Sequence, residues 1–169
     1  MLKNKYWLMP LLLILGAAFA RLIPHAPNFT PLLSLALFSG ASIKRKHFAF
    51  LAPLLAMLIS DAVIGFHALL PVVYLSMGII VIVGSYIRQR SIFSVALMST
   101  LSAVIFFVVT NLGVWLFTPY YTKNLLGLSA CFIAALPFFV NTLVSAYLYS
   151  SIMFGILELY KQRSRLAVL

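Results

Sequence analysis

The sequence predicts an all-helical integral membrane bundle of about six transmembrane helices. Hydrophobic residues make up 64% of the 169 positions and charged residues only 8%, whereas a soluble domain carries roughly 25% charged residues. The apolar residues form long runs, and about 20 such residues are enough for one helix to cross a bilayer. Residues 1–169 are therefore predicted to form a single transmembrane domain.

The basic residues lie in short clusters between the apolar runs, and this distribution predicts the orientation. Cytoplasmic loops of membrane proteins carry an excess of Lys and Arg. Six spans with both termini in the cytoplasm leave only Arg21 and Lys123 outside. The net charge of +10 then follows from topology, and we expect no nucleic-acid partner because no basic patch lies on a soluble face. The cytoplasmic clusters are Lys3 and Lys5; Lys44, Arg45 and Lys46; Arg88 and Arg90; Lys161, Arg163 and Arg165.

The first predicted span, residues 6–23, ends in the turn RLIPHAPNFTP, whose prolines rule out a continuous helix. Two interpretations of its start stay open. Lysines, an apolar stretch and small residues around Ala18 are typical of a cleaved secretory signal. The same small residues also fit a helix face that lets another membrane helix approach closely. The second span, residues 30–43, is only about 21 Å long, so we expect protein to shield one of its ends.

The next three spans are predicted at residues 48–66, 70–87 and 91–117. The third span carries Asp61, and an ionisable residue at membrane depth indicates a functional site by default. The fourth span stops at the sequence RQR. The fifth is long enough to tilt or to project beyond the bilayer.

The last apolar stretch is too long for one span and too short for two spans with a loop. Because Pro137 divides it, we predict a short outer helix over residues 125–136 and a sixth span over residues 138–160. Non-helical backbone at membrane depth is tolerated only where protein or a water-filled cavity covers it. The expected break at Pro137 therefore predicts a cavity nearby.

Polar residues that are costly inside a membrane gather at the predicted outer ends of the spans, whereas the inner halves contain mainly Ser, Gly and aliphatic residues. We predict that the polar residues form an outward-facing pocket for a small-molecule ligand. The predicted ligand-binding residues are Arg21, His25, Asn28, Thr30, Asp61, His67, Asn111, Trp115, Tyr120 and Asn141.

Charged groups in this set have two compatible interpretations. An unpaired charge in a low dielectric is strongly penalised, so Asp61 and Arg21 are expected to form an ion pair. The same two side chains are candidates for direct ligand contact if the pair forms the floor of the pocket. Near the cytoplasmic end, Glu158 is expected to pair locally with Lys161. The single Cys131 is expected to be a buried thiol, since it has no cysteine partner.

The uncharged candidates also leave alternatives open. His25 and His67 either make structural hydrogen bonds or contact a ligand through the imidazole. Trp115 belongs either to an interfacial aromatic belt or to a stacking surface for a flat ligand. Asn111 and Asn141 need several hydrogen bonds inside a span, and those bonds either bridge the broken helix or bind a polar ligand.

Catalytic signatures are missing from the sequence. It has no H-E-x-x-H zinc helix, no G-x-S-x-G elbow and no P-loop for ATP. Its two carboxylates lie on opposite sides of the predicted membrane and cannot work as an acid and base pair. We therefore expect no enzymatic activity, no catalytic residue, no metal site and no cofactor.

Four segments carry a resemblance that covers about residues 21–149: RLIPHAPNFTPL, LAPLLAMLISDAVIGFH, TNLGVWL and ALPFFVNTL. They resemble an uncharacterised family of small bacterial six-helix membrane proteins. That family is itself similar to the S components, the substrate-binding subunits, of energy-coupling factor (ECF) transporters. The first and third segments are the most specific.

The resemblance implies a substrate-binding subunit in the bacterial inner (plasma) membrane that takes up a vitamin, a cofactor precursor or a metal complex. S components work with a transmembrane coupling protein and separate ATPases, and Gly16, Ala17 and Ala20 would carry the coupling contact. The chain lacks a metal-binding N-terminus and a vitamin-specific motif, so its substrate stays open. The alternative is a structural or assembly membrane protein without a ligand, in which side chains would fill the space between the outer halves of the spans.

Overall fold

The computed structural model describes residues 8–87 and 91–166, and every regular element in these ranges is an α-helix. The predicted all-helical fold with six helices is thus confirmed for this part of the chain. Lys3, Lys5, Arg88, Arg90 and the predicted start of the first span at residue 6 lie outside the described residues. The helices are α1 (Leu8–Leu22), α2 (Leu32–Ser42), α3 (Lys46–Ile64), α4 (Leu70–Ser85), α5 (Ile92–Phe117) and α6 (Leu125–Leu166).

The helix starts follow ordinary capping chemistry. Pro71 stands in the first turn of α4, where its missing N–H costs nothing. The hydroxyl of Ser91 accepts from the N–H of Ser94 (3.1 Å) and caps α5. The side-chain oxygen of Asn124 accepts from the N–H of Gly127 (2.8 Å) before α6. Side-chain oxygens at this position satisfy donors that the first turn leaves open.

The predicted break in the last apolar stretch is wrong, because α6 continues through Pro137. A short outer helix over residues 125–136 and a separate span over residues 138–160 are therefore one element of 42 residues, about 63 Å long. Proline removes one donor from the helix ladder, but neighbouring helices and local adjustments make it tolerable in apolar surroundings. The cavity that we predicted from this break must therefore arise from another feature of the fold.

α2 forms the centre of the bundle and packs against each of the other five helices. It has only 11 residues, about 16 Å, and every residue from Leu32 to Ser39 is buried. The expected shielding of one end is thus found at the N-terminal end, whereas Gly40, Ala41 and Ser42 at the C-terminal end are half-buried. Ser34 ties α2 to α6, because its hydroxyl donates to the carbonyl of Ala146 (3.1 Å) and accepts from Ser150 (3.1 Å).

α2 and α4 cross in backbone contact at two glycines. A Cβ atom at Gly40 would overlap the carbonyl oxygen of Val81, and one at Gly84 would overlap the carbonyl oxygen of Leu37. Small residues of this kind let apolar helices approach closely. The crossing therefore has no room for even one methyl group.

Large apolar side chains cover the outside of the bundle. Ile92 is 91% exposed and Leu126 is 81% exposed, and soluble monomers rarely expose continuous apolar surface on this scale. Within the described residues, three helical stretches are long and apolar enough to cross a membrane, and α1, α2 and α4 are shorter apolar helices. This surface indicates membrane association. The three long stretches are Lys46–Ile64, Ile92–Phe117 and Leu125–Gln162.

Candidate functional site

A cavity of about 810 Å³ lies at one end of the bundle. Its walls come from the C-terminal parts of α1, α3 and α5 and from the N-terminal parts of α2, α4 and α6. We call this the cavity end. Residues 44–46 and Lys161 belong to the opposite helix ends, which we call the basic end. The volume falls within the roughly 300–1,000 Å³ of small-molecule sites.

The short central helix explains why this space is empty. Across the described residues, α1 and α3 make no backbone contact with α5 or α6, and α2 lies between the two pairs. α2 begins only at Leu32, and Leu32 and Leu33 line the cavity. Its N-terminus therefore forms the floor, and the longer helices around it rise past that level as walls.

An ion pair joins two walls at the cavity end. Nη1 of Arg21 donates to Oδ1 of Asp61 and to Oγ of Ser60, the latter over 2.8 Å. Tyr74 donates its hydroxyl to Oδ2 of Asp61 over 3.1 Å. Asp61 is 1% exposed, so both of its oxygens are held away from water. The predicted pair between Asp61 and Arg21 is confirmed.

A glycine turn fixes Asp61 at this level. α3 ends at Ile64, and Gly65 follows with φ +109°, a conformation that side chains with a Cβ rarely adopt. The N–H of Gly65 donates to the carbonyl of Asp61 (2.8 Å). Asp61 therefore stands in the last turn of α3, next to the C-terminal end of α1.

The guanidinium of Arg21 retains donors after it has bound Asp61. Arginine has five N–H donors, and among the described residues only Nη1 has acceptors. Arg21 lines the cavity with 17% of its side chain exposed, whereas Asp61 lies behind it outside the lining. The cavity is therefore lined by a cation that is already paired with a carboxylate, and this carboxylate lies outside the lining.

The turn between α1 and α2 forms another part of the wall. Nδ1–H of His25 donates to the carbonyl of Ile23 (2.5 Å). The other ring nitrogen, Nε2, takes no part in this bond. Asn28 adopts φ +62°, a left-handed conformation that asparagine tolerates. Asn141 of α6 donates through Nδ2 to the carbonyl of Pro27 (3.0 Å) and so ties the turn to α6.

The opposite wall presents oxygen acceptors. Asn111 donates through Nδ2 to the carbonyl of Phe107 one turn back (2.7 Å), and its Oδ1 has no donor among the described residues. The hydroxyls of Thr110 and Thr142 likewise donate to carbonyls of their own helices, at 2.7 and 2.8 Å. Their lone pairs remain for a ligand. Cys131 is buried as predicted and donates weakly to the carbonyl of Asn111 (3.5 Å).

The structure brings most of the predicted ligand-binding residues to the cavity, although no ligand contact is established for any of them. Asp61 lies directly behind Arg21. Trp115, Tyr120 and Asn141 do not line the cavity, so its geometry gives their predicted ligand contact no support. The predicted residues in the wall are Arg21, His25, Asn28, Thr30, His67 and Asn111.

Trp115 and its neighbours close the end of α5. Nε1 of Trp115 donates to the carbonyl of Thr122 (2.9 Å). The ammonium of Lys123 donates to the carbonyls of Trp115 and Thr118 and lies 5.9 Å from the indole centroid. A cation at a helix C-terminus compensates its open carbonyls. Tyr120 projects outward and is 77% exposed.

The small residues of α1 do not share one free face. Gly16 is exposed and has open space around it, whereas Ala17 is 2% exposed and belongs to the core. Ala20 is half-buried. Of the three predicted coupling contacts, Gly16 is therefore the accessible one.

The site also contains polar residues outside the predicted set, among them Ser60, Tyr74, Thr110 and Thr142. Hydroxyls are common in apolar helices, where they donate to the preceding turn, as Ser60 does to Ala56 (3.0 Å).

Two further observations concern metal binding and a second cavity. Among the described residues, no group of three or more His, Cys, Asp or Glu side chains comes together to hold a metal ion. A second cavity of about 430 Å³ lies between α5 and α6 and includes Ser99, Tyr147 and Glu158 in its wall. Glu158 pairs with Lys161 at 2.7 Å, as predicted.

Fold and cavity together define an apolar, all-helical protein with a ligand-sized cavity at one end. The chain belongs to DUF6580, a family of unknown function whose model matches residues 1–168. No curated protein and no solved structure matches the chain.

Proposed function

We propose that this protein is a membrane-embedded substrate-binding subunit that takes up a small molecule, in the manner of the S component of an ECF transporter. The observation that carries the proposal is the 810 Å³ cavity, into which costly polar groups of α1, α5, α6 and the segments that connect the helices converge. Polar groups inside an apolar bundle are rare and mark ligand pathways. A few such groups in a mostly apolar wall are typical of small-molecule sites.

We further propose that the bundle crosses the membrane six times, with both termini in the cytoplasm. The positive-inside pattern supports this orientation, since it places the cavity end outside and the basic end inside. α2 is too short to span about 30 Å of hydrocarbon. It does not need to, because the other five helices pack around it and every residue from Leu32 to Ser39 is buried in protein, which can replace a full membrane span.

Coupling to ATP hydrolysis would come from other proteins. The chain has no P-loop, so uptake against a gradient requires a transmembrane coupling protein and ATPases, as in ECF transporters. The exposed side of α1 around Gly16 is the proposed contact for the coupling protein. The S-component resemblance itself stays a prediction.

The alternative, a structural or assembly protein without a ligand, requires side chains to fill the space between the outer halves of the helices. That space is a cavity instead, with unbonded donors on Arg21 and an unbonded acceptor on Asn111. Both residues line the cavity, so a bound ligand can supply the partners that the protein does not. The geometry therefore favours binding.

The test is native mass spectrometry of the protein purified in mild detergent from its membrane, with the released small molecules identified afterwards. We expect an adduct on the wild type. Ala134 lines the cavity with room beside it, so Ala134→Trp should fill the space and abolish the adduct. Ala130, one turn earlier and exposed, lies outside the lining.

Ala130→Trp is the matched control, since tryptophan is well tolerated near a membrane interface. It should retain the adduct and the melting temperature of the wild type. An empty wild-type protein, or equal occupancy in both tryptophan variants, would contradict the proposal and favour the structural alternative.

A further inference from the structure

The charges around the cavity are asymmetric. The chain has two acidic residues, and neither lines the cavity. Asp61 is 1% exposed, with one oxygen held by Arg21 and the other by Tyr74, and Glu158 lies at the basic end. No carboxylate is left to receive a cationic ligand.

Arg21 presents the opposite case. Two N–H groups of Nη1 serve Asp61 and Ser60, and the remaining edge of the guanidinium, Nε and Nη2, has no acceptor among the described residues. This edge matches the two oxygens of a carboxylate. Asp61 and Ser60 hold the guanidinium in place, so it is already oriented before a ligand arrives.

The floor of the cavity adds a second, weaker attraction for an anion. The first N–H groups of a helix have no acceptor within it, and the N-cap of α2, Pro31, makes no side-chain cap. Leu32 and Leu33 of this first turn line the cavity. A helix N-terminus carries the equivalent of about half a positive charge.

The remaining wall is mainly apolar, with Met77, Phe106 and Phe138 among its side chains. Asp61 already neutralises the full charge of Arg21, so an anion would be held by the unbonded N–H groups of the guanidinium edge and by the partial positive charge of the α2 N-terminus, which suit a single negative charge. A doubly charged phosphate would be compensated poorly.

We infer that the ligand of this cavity is a small amphipathic monocarboxylic acid, whose carboxylate binds the open edge of Arg21 above the N-terminus of α2 and whose apolar body packs against Phe106 and Phe138. This inference rests on the proposed function and adds the chemical class of the ligand to it.

Three probes of equal shape test the charge: 2-naphthoate, 2-naphthamide and 2-naphthylmethylammonium, titrated into the purified protein and followed by calorimetry. The acid should bind about tenfold to a hundredfold more tightly than the amide, as expected for hydrogen bonds to a charged group. The ammonium probe should bind most weakly.

The double variant Arg21→Gln/Asp61→Asn removes the cation without leaving Asp61 charged and unpaired. It should bind the acid at most about fivefold more tightly than the amide, the part that the α2 N-terminus supplies. Lys123→Gln is the control, because it removes the other cation of the cavity end without touching the lining, and it should keep the preference for the acid. Thermal unfolding of both variants checks that each is folded.

Equal binding of acid and amide by the wild type, tighter binding of the ammonium probe, or no binding of any probe at 1 mM (about −4 kcal/mol) would overturn the inference. A preference in the double variant as large as that of the wild type would do the same. None of these results touches the proposed function, which fails only if the purified protein carries no adduct that Ala134→Trp removes.

Discussion

The cavity end and the α2–α4 crossing both include part of the central helix α2, but the first contains a cavity and the second is closely packed. At its N-terminus, α2 stops short and leaves about 810 Å³ between the helix pairs around it. Toward its C-terminus, Gly40 lies against the backbone of Val81, with no space for a side chain. The polar side chains follow the space: Arg21 and Asn111 line the cavity, whereas glycine and aliphatic residues fill the crossing.

This difference indicates how the bundle can be hollow at one end and still stable. Close backbone packing gives dispersion contacts that are individually small and collectively large. The crossing concentrates these contacts on α2, which touches all five other helices. The cavity end can then leave donors and acceptors unbonded, and it is held instead by a few specific interactions, chiefly the Arg21–Asp61 pair.

The largest expected effect comes from breaking that pair on one side only. Arg21→Gln should destabilise the protein by about 3–5 kcal/mol, because it leaves Asp61 buried without its charged partner. Asp61 is 1% exposed and keeps only the hydroxyl of Tyr74. Equilibrium unfolding in mixed micelles measures the loss.

The double variant Arg21→Gln/Asp61→Asn is the control for this prediction. It removes both charges at once, so it should recover more than half of the lost stability. If the two single losses simply add in the double variant, the pair is not coupled, and the cavity end is held by something else.

A slightly smaller effect is expected at the crossing. Gly40→Ala should cost about 3 kcal/mol, at the upper end of the usual range for overpacking, because its Cβ would overlap the carbonyl oxygen of Val81. Backbone cannot move aside as a flexible side chain can. Unfolding in the same micelles measures this loss.

Gly155→Ala in α6 is the matched control, since a Cβ there has open space around it. Alanine is favoured over glycine in a helix by up to about 1 kcal/mol, so this variant should be neutral or slightly stabilised. Equal losses at Gly40 and Gly155 would mean that the crossing is not the tightly packed region of the bundle.

Much of the fold is readable from the sequence because the apolar runs and their boundaries are local signals. The predicted spans 70–87 and 91–117 end within two residues of α4 and α5. The error at Pro137 has a physical cause: a proline interrupts one hydrogen bond of a helix, and the rest of a long apolar helix can continue past it. The close crossing at Gly40 and Gly84 depends on two segments far apart in the chain, which no local pattern reports.

The site was predictable to the extent that charge is costly in apolar surroundings. Arg21 and Asp61 had to find partners, and they found each other. Uncharged residues are not under this constraint. Trp115 and Asn141 donate hydrogen bonds to loop carbonyls and do not line the cavity. Tyr74 was missed because a tyrosine in an apolar helix is usually an anchor at the interface, and only the packing of α4 on α3 shows its carboxylate partner.

The smallest expected effect concerns the loss of a single hydrogen bond, compared between the cavity end and another part of the bundle. Asn141→Leu removes the bond from Nδ2 to the carbonyl of Pro27 and should cost about 1 kcal/mol. Because this bond holds the turn, the amide of Phe29, which donates to Ala26 within it (2.9 Å), should exchange its hydrogen several-fold faster.

Tyr147→Phe is the comparison, since it removes the hydroxyl bond to Thr100 (2.6 Å) between α5 and α6. The stability loss should be similar, but exchange at Phe29 should stay as in the wild type. Equal exchange at Phe29 in both variants would show that the turn is held by the packing of its own prolines. The wall of the cavity would then be rigid without α6, and the contrast between a loosely held cavity end and a tightly packed crossing would lose one of its supports.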